Sequence, residues 1–277
     1  MPIGSLNPLD ILILIIVGIL AGTFGGLIGT GGCSIMLPIL NFYLGYPTAL
    51  AIGTTLFAVM FTTASGAYGH LKIRNLDVKT TIYMGTGGSI GVVVGSIIFN
   101  LIKSKIAILD LILGLVFILP SLRMIYEGVL RKGPAKAKKE WLGGEIPGNV
   151  VFKVIFGFII GITTGLVGLG GGYALVPGMI YLFGAPVHVT MGTSLATMIP
   201  MTIIGSIFKV MGGDVIILAG ITLGIGTTVG AQIGARLIKR VSPHGLKIIF
   251  GAYFLYVSLK YLNIYLTMAL GWPKIIP

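Results

Sequence analysis

One unusual segment is written twice in this chain, inside two long hydrophobic stretches. Gly29-Thr-Gly-Gly-Cys-Ser-Ile-Met-Leu-Pro38 recurs as Gly168-Leu-Gly-Gly-Gly-Tyr-Ala-Leu-Val-Pro177, an offset of 139 residues (168 − 29). At the same offset Gly45-Tyr-Pro47 matches Gly184-Ala-Pro186, and Gly53-Thr-Thr-Leu56 matches Gly192-Thr-Ser-Leu195. Glycine clusters and prolines interrupt helices, and an interrupted helix in hydrocarbon exposes backbone groups that lipid cannot satisfy. Such backbone is tolerated only where it is buried in protein or lines a wet cavity. Two matching interruptions in related halves point to a central binding site of the kind transporters build.

Composition sets the medium. The mean hydropathy is +1.04, and only 9% of residues are charged, against about a quarter in soluble domains. Several apolar runs are long enough to cross a hydrocarbon layer of about 30 Å. The net charge of +12 does not call for nucleic acid, because the basic residues sit between the apolar runs. There they set orientation and meet anionic headgroups. One cysteine allows no internal disulfide. No Lys or Arg precedes Lys72, so the basic start of a cleavable signal is missing and the first apolar run is expected to stay as a helix.

The pattern predicts an all-α, polytopic membrane protein of two homologous halves, 1–126 and 150–277, joined by a basic cytoplasmic linker at 127–149. Long helices are expected at 9–28, 48–71, 79–101 and 106–126, with counterparts at 150–167, 187–209, 215–238 and 245–268. Short broken or re-entrant pieces fall at 33–44 and 172–183. The linker carries Arg131, Lys132, Lys136, Lys138 and Lys139 among glycines and prolines. If the short pieces do not cross, the halves are parallel; if they do, the halves are inverted. Equivalent loops differ in charge in the direction inversion requires: 72–79 is richer than its partner near 209–216, and 101–108 is poorer than 236–247. The inverted arrangement is favoured.

The chemistry on offer suits an anion. Glycines free successive N–H groups from the helical ladder and admit a ligand closely, and a helix starting after the break adds its positive end. The candidate donors are Gly29, Gly31, Gly32, Cys33 and Ser34 in the first half, and Gly168, Gly170, Gly171 and Gly172 in the second. The hydroxyls of Thr54, Thr55, Thr193 and Ser194 could donate to oxyanion oxygens or hold sodium. Thr62, Thr63 and Ser65 are assigned no matched partners. The seven acidic residues fall in connections or near helix starts, with no carboxylate pair of the kind that marks cation paths. His70, Lys209, Arg236 and His188 could balance an anion, although His70 and Lys209, at equivalent positions, also sit where long side chains reach back to headgroups. No metal-ligand spacing, P-loop, serine elbow or dinucleotide fingerprint is present. The chain is expected to be no enzyme and to need no cofactor or metal.

The doubled G-x-G-G-x-x-x-x-x-P segment, followed by G-x-P and G-T-S/T-L, resembles the sulfite exporter TauE/SafE family of membrane permeases. The likeness covers nearly the whole chain. The second copy follows the family pattern more closely; the first departs at Cys33 and Thr55. The resemblance implies transport of a sulfur-containing oxyanion or organosulfonate across the cytoplasmic membrane. Coupling to a proton or sodium gradient, an anion channel, a non-transporting assembly protein and a homo-oligomer are alternatives the residues leave open.

Overall fold

The structure is a computed structural model and describes residues 7–129, 145–237 and 243–271. The expected linker charges at 130–144, together with Lys239 and Arg240, lie outside the described residues. The described chain is helical: α1 (Pro8–Ile28), α2 (Cys33–Pro38), α3 (Thr48–Lys72), α4 (Val78–Ile102), α5 (Ile106–Val129), α6 (Val150–Val167), α7 (Gly172–Tyr181), α8 (Val187–Met211), α9 (Ile217–Leu237) and α10 (Pro243–Leu270). Among the described residues α1, α3, α4, α5, α6, α8 and α9 are long and apolar enough to span a bilayer. The chain is a multi-pass membrane protein.

Local chemistry sets the ends of these helices. Asn7 and Asp10 form a reciprocal capping box at α1, with Pro8 in its first turn, and the Asn149 side chain accepts the Val151 N–H at the start of α6. Each satisfies a donor that the first helical turn leaves over. Both α1 and α6 stop at a glycine in the left-handed region, Gly29 and Gly168, a conformation that costs other residues a Cβ clash. Pro38, which has no N–H to give, ends α2, and the chain winds on through a π-helical turn, Ile39–Tyr43, closed by Leu44 N–H to Ile39 O.

The contacts divide the chain into two compact units: α1–α4 with α6–α9, and α5 with α10. Each unit takes helices from both sequence halves. In the smaller unit, α5 and α10 run antiparallel. Phe117 packs on Phe254 and stacks on Tyr261, and Ser258 donates to the Gly114 carbonyl at 2.7 Å.

The larger unit is built on glycine seams. A Cβ on Gly18 would fall 2.6 Å from Leu223 O, and one on Gly226 would fall 2.5 Å from Ile15 O, so α1 and α9 touch backbone to backbone. The equivalent seam joins α4 to α6, where Gly87, Gly91 and Gly95 lie against the carbonyls of Val154, Phe158 and Ile162. Small residues permit this approach, which is how helices gain dispersion energy in lipid, where burial of apolar surface gives no drive. The order of contacts fixes direction. Ile15, Ile19 and Thr23 meet Gly226, Gly230 and Gly234 in turn, while Phe57 and Phe61 meet Gly220 and Gly224. Helices α1, α3 and α9 therefore run the same way. Helices α4, α6 and α8 also run together, with Gly85 on Pro200 and Val92 on Gly205. They oppose the first set, because Leu56 meets Gly205 and Gly66 meets Leu195.

Candidate functional site

Both predicted interruptions exist. After α1, residues Gly29, Gly31 and Gly32 take φ of +82°, +76° and +74°; after α6, residues Gly168, Gly170 and Gly171 take +72°, +68° and +87°. These angles suit glycine, and they turn the chain back on itself. Gly32 lies against the Ala21 carbonyl of α1, so α2 returns alongside the helix it follows.

The turns leave donors over. Gly29 and Thr30 N–H bond to Gly25 O, and the ladder resumes with Ile35 and Met36 on Gly32 O. Among the described residues the N–H groups of Gly31, Gly32, Cys33 and Ser34 have no carbonyl partner. In the second break Gly168 N–H bonds to Thr164 O, and Ala174 and Leu175 bond to Gly171 O. The N–H groups from Leu169 to Tyr173 are left likewise. Buried backbone donors are nearly always paired, so two such runs in one buried region make the breaks the candidate site for acceptors.

The two breaks touch. The Cys33 thiol donates to Leu169 O at 2.7 Å, and Gly172 packs so closely on the first break that a Cβ would lie 2.5 Å from Gly29 O. Gly29 sits on Met191 of α8, and Gly168 sits on Ile52 of α3. Between Gly31 and Gly170 stand Val59 and Met198. Just beyond, Thr63 and Thr202 approach to 3.4 Å. This corrects the sequence reading of Thr63, which does have a counterpart at the shared offset.

The candidate hydroxyls differ in fate. Thr54 accepts the Ile216 N–H and Thr193 accepts the Asp77 N–H, both at 3.0 Å. These matched bonds tie the segments before α9 and α4 to α3 and α8. Ser194 donates to Gly29 O at 2.9 Å. Thr55 Oγ1 is buried with no hydrogen-bond partner. Ser34 is buried at the start of α2.

The cationic candidates separate. His188 and Arg236 are exposed. His70 and Lys209 do not reach back to headgroups: both are buried. His70 Nε2 meets Gly26 O at 2.9 Å, and the Lys209 ammonium lies over the Phe99 ring. Asp77 is a helix cap, its carboxylate accepting the N–H groups of Lys79, Thr80 and Ile146. Sequence reasoning missed Lys153, which is fully buried and donates to Glu145 and to Ile146 O. A lone lysine at the start of an apolar run, eight residues after a glutamate, was the available signal.

The model of the family described as sulfite exporter TauE/SafE matches residues 14–261. Similar proteins include the "Probable membrane transporter protein YunE" of Bacillus subtilis, 28% identical over 84% of this chain and 90% of its own length. A "Probable membrane transporter protein" of Methanocaldococcus jannaschii is 27% identical over 87% of this chain and 91% of its own length. No solved structure matches.

Proposed function

Since the chain belongs to the sulfite exporter TauE/SafE family and is a membrane transporter, we propose that it carries a small sulfur-containing oxyanion or organosulfonate by alternating access. The single observation that carries this reading is the meeting of two breaks whose N–H groups have no carbonyl partner among the described residues, joined by the Cys33–Leu169 bond. Preorganised backbone donors in a buried, low-dielectric setting favour an anion strongly. The substrate contacts are the donors of Gly31–Ser34 and Leu169–Tyr173, with the Thr55 hydroxyl added from α3. Thr54, Thr193 and Ser194 shape the site from behind through their backbone bonds.

The two halves act as inverted repeats. What supports this is the opposed direction of α1 and α6, together with contacts that recur when a residue number is raised by 139 and its partner's lowered by the same amount. Gly18–Leu223 recurs as Gly157–Met84, and Gly53–Asp214 as Gly192–Asn75. Two near-equivalent conformations of such a pair expose one central site to each side in turn. The test is uptake of sulfite, thiosulfate, sulfate and sulfonates into proteoliposomes, with and without a proton or sodium gradient. Saturable uptake or counterflow of a sulfur oxyanion or sulfonate is expected. Unsaturable conductance would favour a channel, and no flux for any of these anions would remove the reading.

A further inference from the structure

We infer that Val59 and Met198 form a size filter where the breaks meet, with Met198 setting how large a substituent the bound anion can carry. This rests on the reading that the breaks hold an anion, and it narrows the substrate to oxyanions with a small substituent or none.

The two residues occupy one position of the repeat (198 − 59 = 139), and both are fully buried. A methyl on Gly31 would lie 2.8 Å from Met198 Cε and 3.0 Å from Val59 Cγ1. A methyl on Gly170 would meet the same two atoms, Val59 Cγ1 again at 3.0 Å. Each side chain therefore touches both breaks. Met198 reaches further still, since a Cβ on Gly172 would lie 2.9 Å from its sulfur. The hydroxyls of Thr54 and Thr193 instead turn to the segments before α9 and α4. Val59 and Met198 thus pack against both breaks, and on this inference they are the apolar wall that a ligand on the break N–H groups meets.

The two walls are not alike. Valine is branched at Cβ and stiff. Methionine is unbranched, with a polarizable sulfur and three rotatable bonds, and it adapts to what it touches. Ser194 lies 3.9 Å from the Met198 sulfur while its hydroxyl donates to Gly29 O. The adjustable wall is thereby tied to the backbone of the first break. A bare oxyanion leaves Met198 in place, whereas an organic substituent must displace it.

The experiment compares wild type, Met198→Ala, Met198→Leu and Val59→Ala in proteoliposomes, measuring initial uptake of labelled sulfite, ethanesulfonate and benzenesulfonate in turn. The expected result is that Met198→Ala raises kcat/KM for benzenesulfonate relative to sulfite by about tenfold or more. Met198→Leu, similar in volume, should keep the wild-type ratio within about twofold, and Val59→Ala should shift it in the same direction by less. An unchanged ratio in an active Met198→Ala protein overturns the filter. So does an equal fall in kcat for every anion, which is the mark of packing alone. If Met198→Ala does not insert, Val59→Ala carries the same two outcomes. Failure of wild type to move any of these anions would take down the anion reading and the filter with it, a result readily told from an unchanged ratio.

Discussion

In the first break the Cys33 thiol is held by Leu169 O, and the break's own Gly29 carbonyl accepts from Ser194. In the second break the matching Gly172 has no side chain to direct, and the matching Thr55 keeps a buried hydroxyl with no partner. The backbones nonetheless agree: each break has three glycines at positive φ and a run of N–H groups without carbonyl partners. What the two breaks share is main-chain geometry, and what differs between them is side-chain chemistry. On the proposed reading, anion capture belongs to the backbone, and differences between the two breaks tune it.

The largest effect should come from disturbing that shared backbone. Gly170 has a positive φ, and an added side chain would press on Met198 and Val59. Gly170→Leu should lower transport per inserted protein by about 100-fold or more, read as initial uptake in proteoliposomes. Gly31→Leu should do the same, because Gly31 meets the same two atoms. If only one of the pair is sensitive, the two-break site reduces to a single break. Gly184→Ala is the control: φ is also positive there, but open space surrounds it, so uptake should change by no more than about threefold.

Next comes the hydroxyl that differs. Thr55→Val removes a donor that no protein group uses, and KM should rise by about tenfold with stability little changed. Ser194→Ala breaks a bond to Gly29 O instead. That change should lower stability by about 1 kcal/mol, seen as a lower Tm, with a smaller effect on KM. A reversed pattern would place the substrate hydroxyl in the other half. The smallest effect is expected for Cys33→Gly, which makes the first break resemble the second. Transport should stay within about threefold of wild type, and a complete loss would give the thiol a direct role.

Most of the fold was legible because glycine and proline punctuate membrane helices sharply. The expected helix at 150–167 coincides with α6, and the short piece placed at 33–44 is α2 with its π-turn, ending at Tyr43. The breaks themselves were readable from Gly-x-Gly-Gly alone. The fate of Thr54 and Thr193 was not, since a hydroxyl's partner depends on which loop lies opposite. Those partners, Ile216 and Asp77, are far away in sequence. Burial of His70, Lys209 and Lys153 was hidden for a related reason. A cation near a helix end normally reaches water, and only packing from other helices closes that route. The grouping of α1–α4 with α6–α9 was equally out of reach, because seams such as Gly91 on Phe158 join residues of different halves.

The central claim is that main-chain donors of both breaks, which have no carbonyl partner among the described residues, hold the anion, and amide hydrogen exchange with and without saturating sulfite tests it most directly. The account predicts added protection confined to 31–34 and 169–173, lost in Gly170→Leu. Sulfite binding with no change in exchange at either stretch, or with protection located elsewhere, would contradict it.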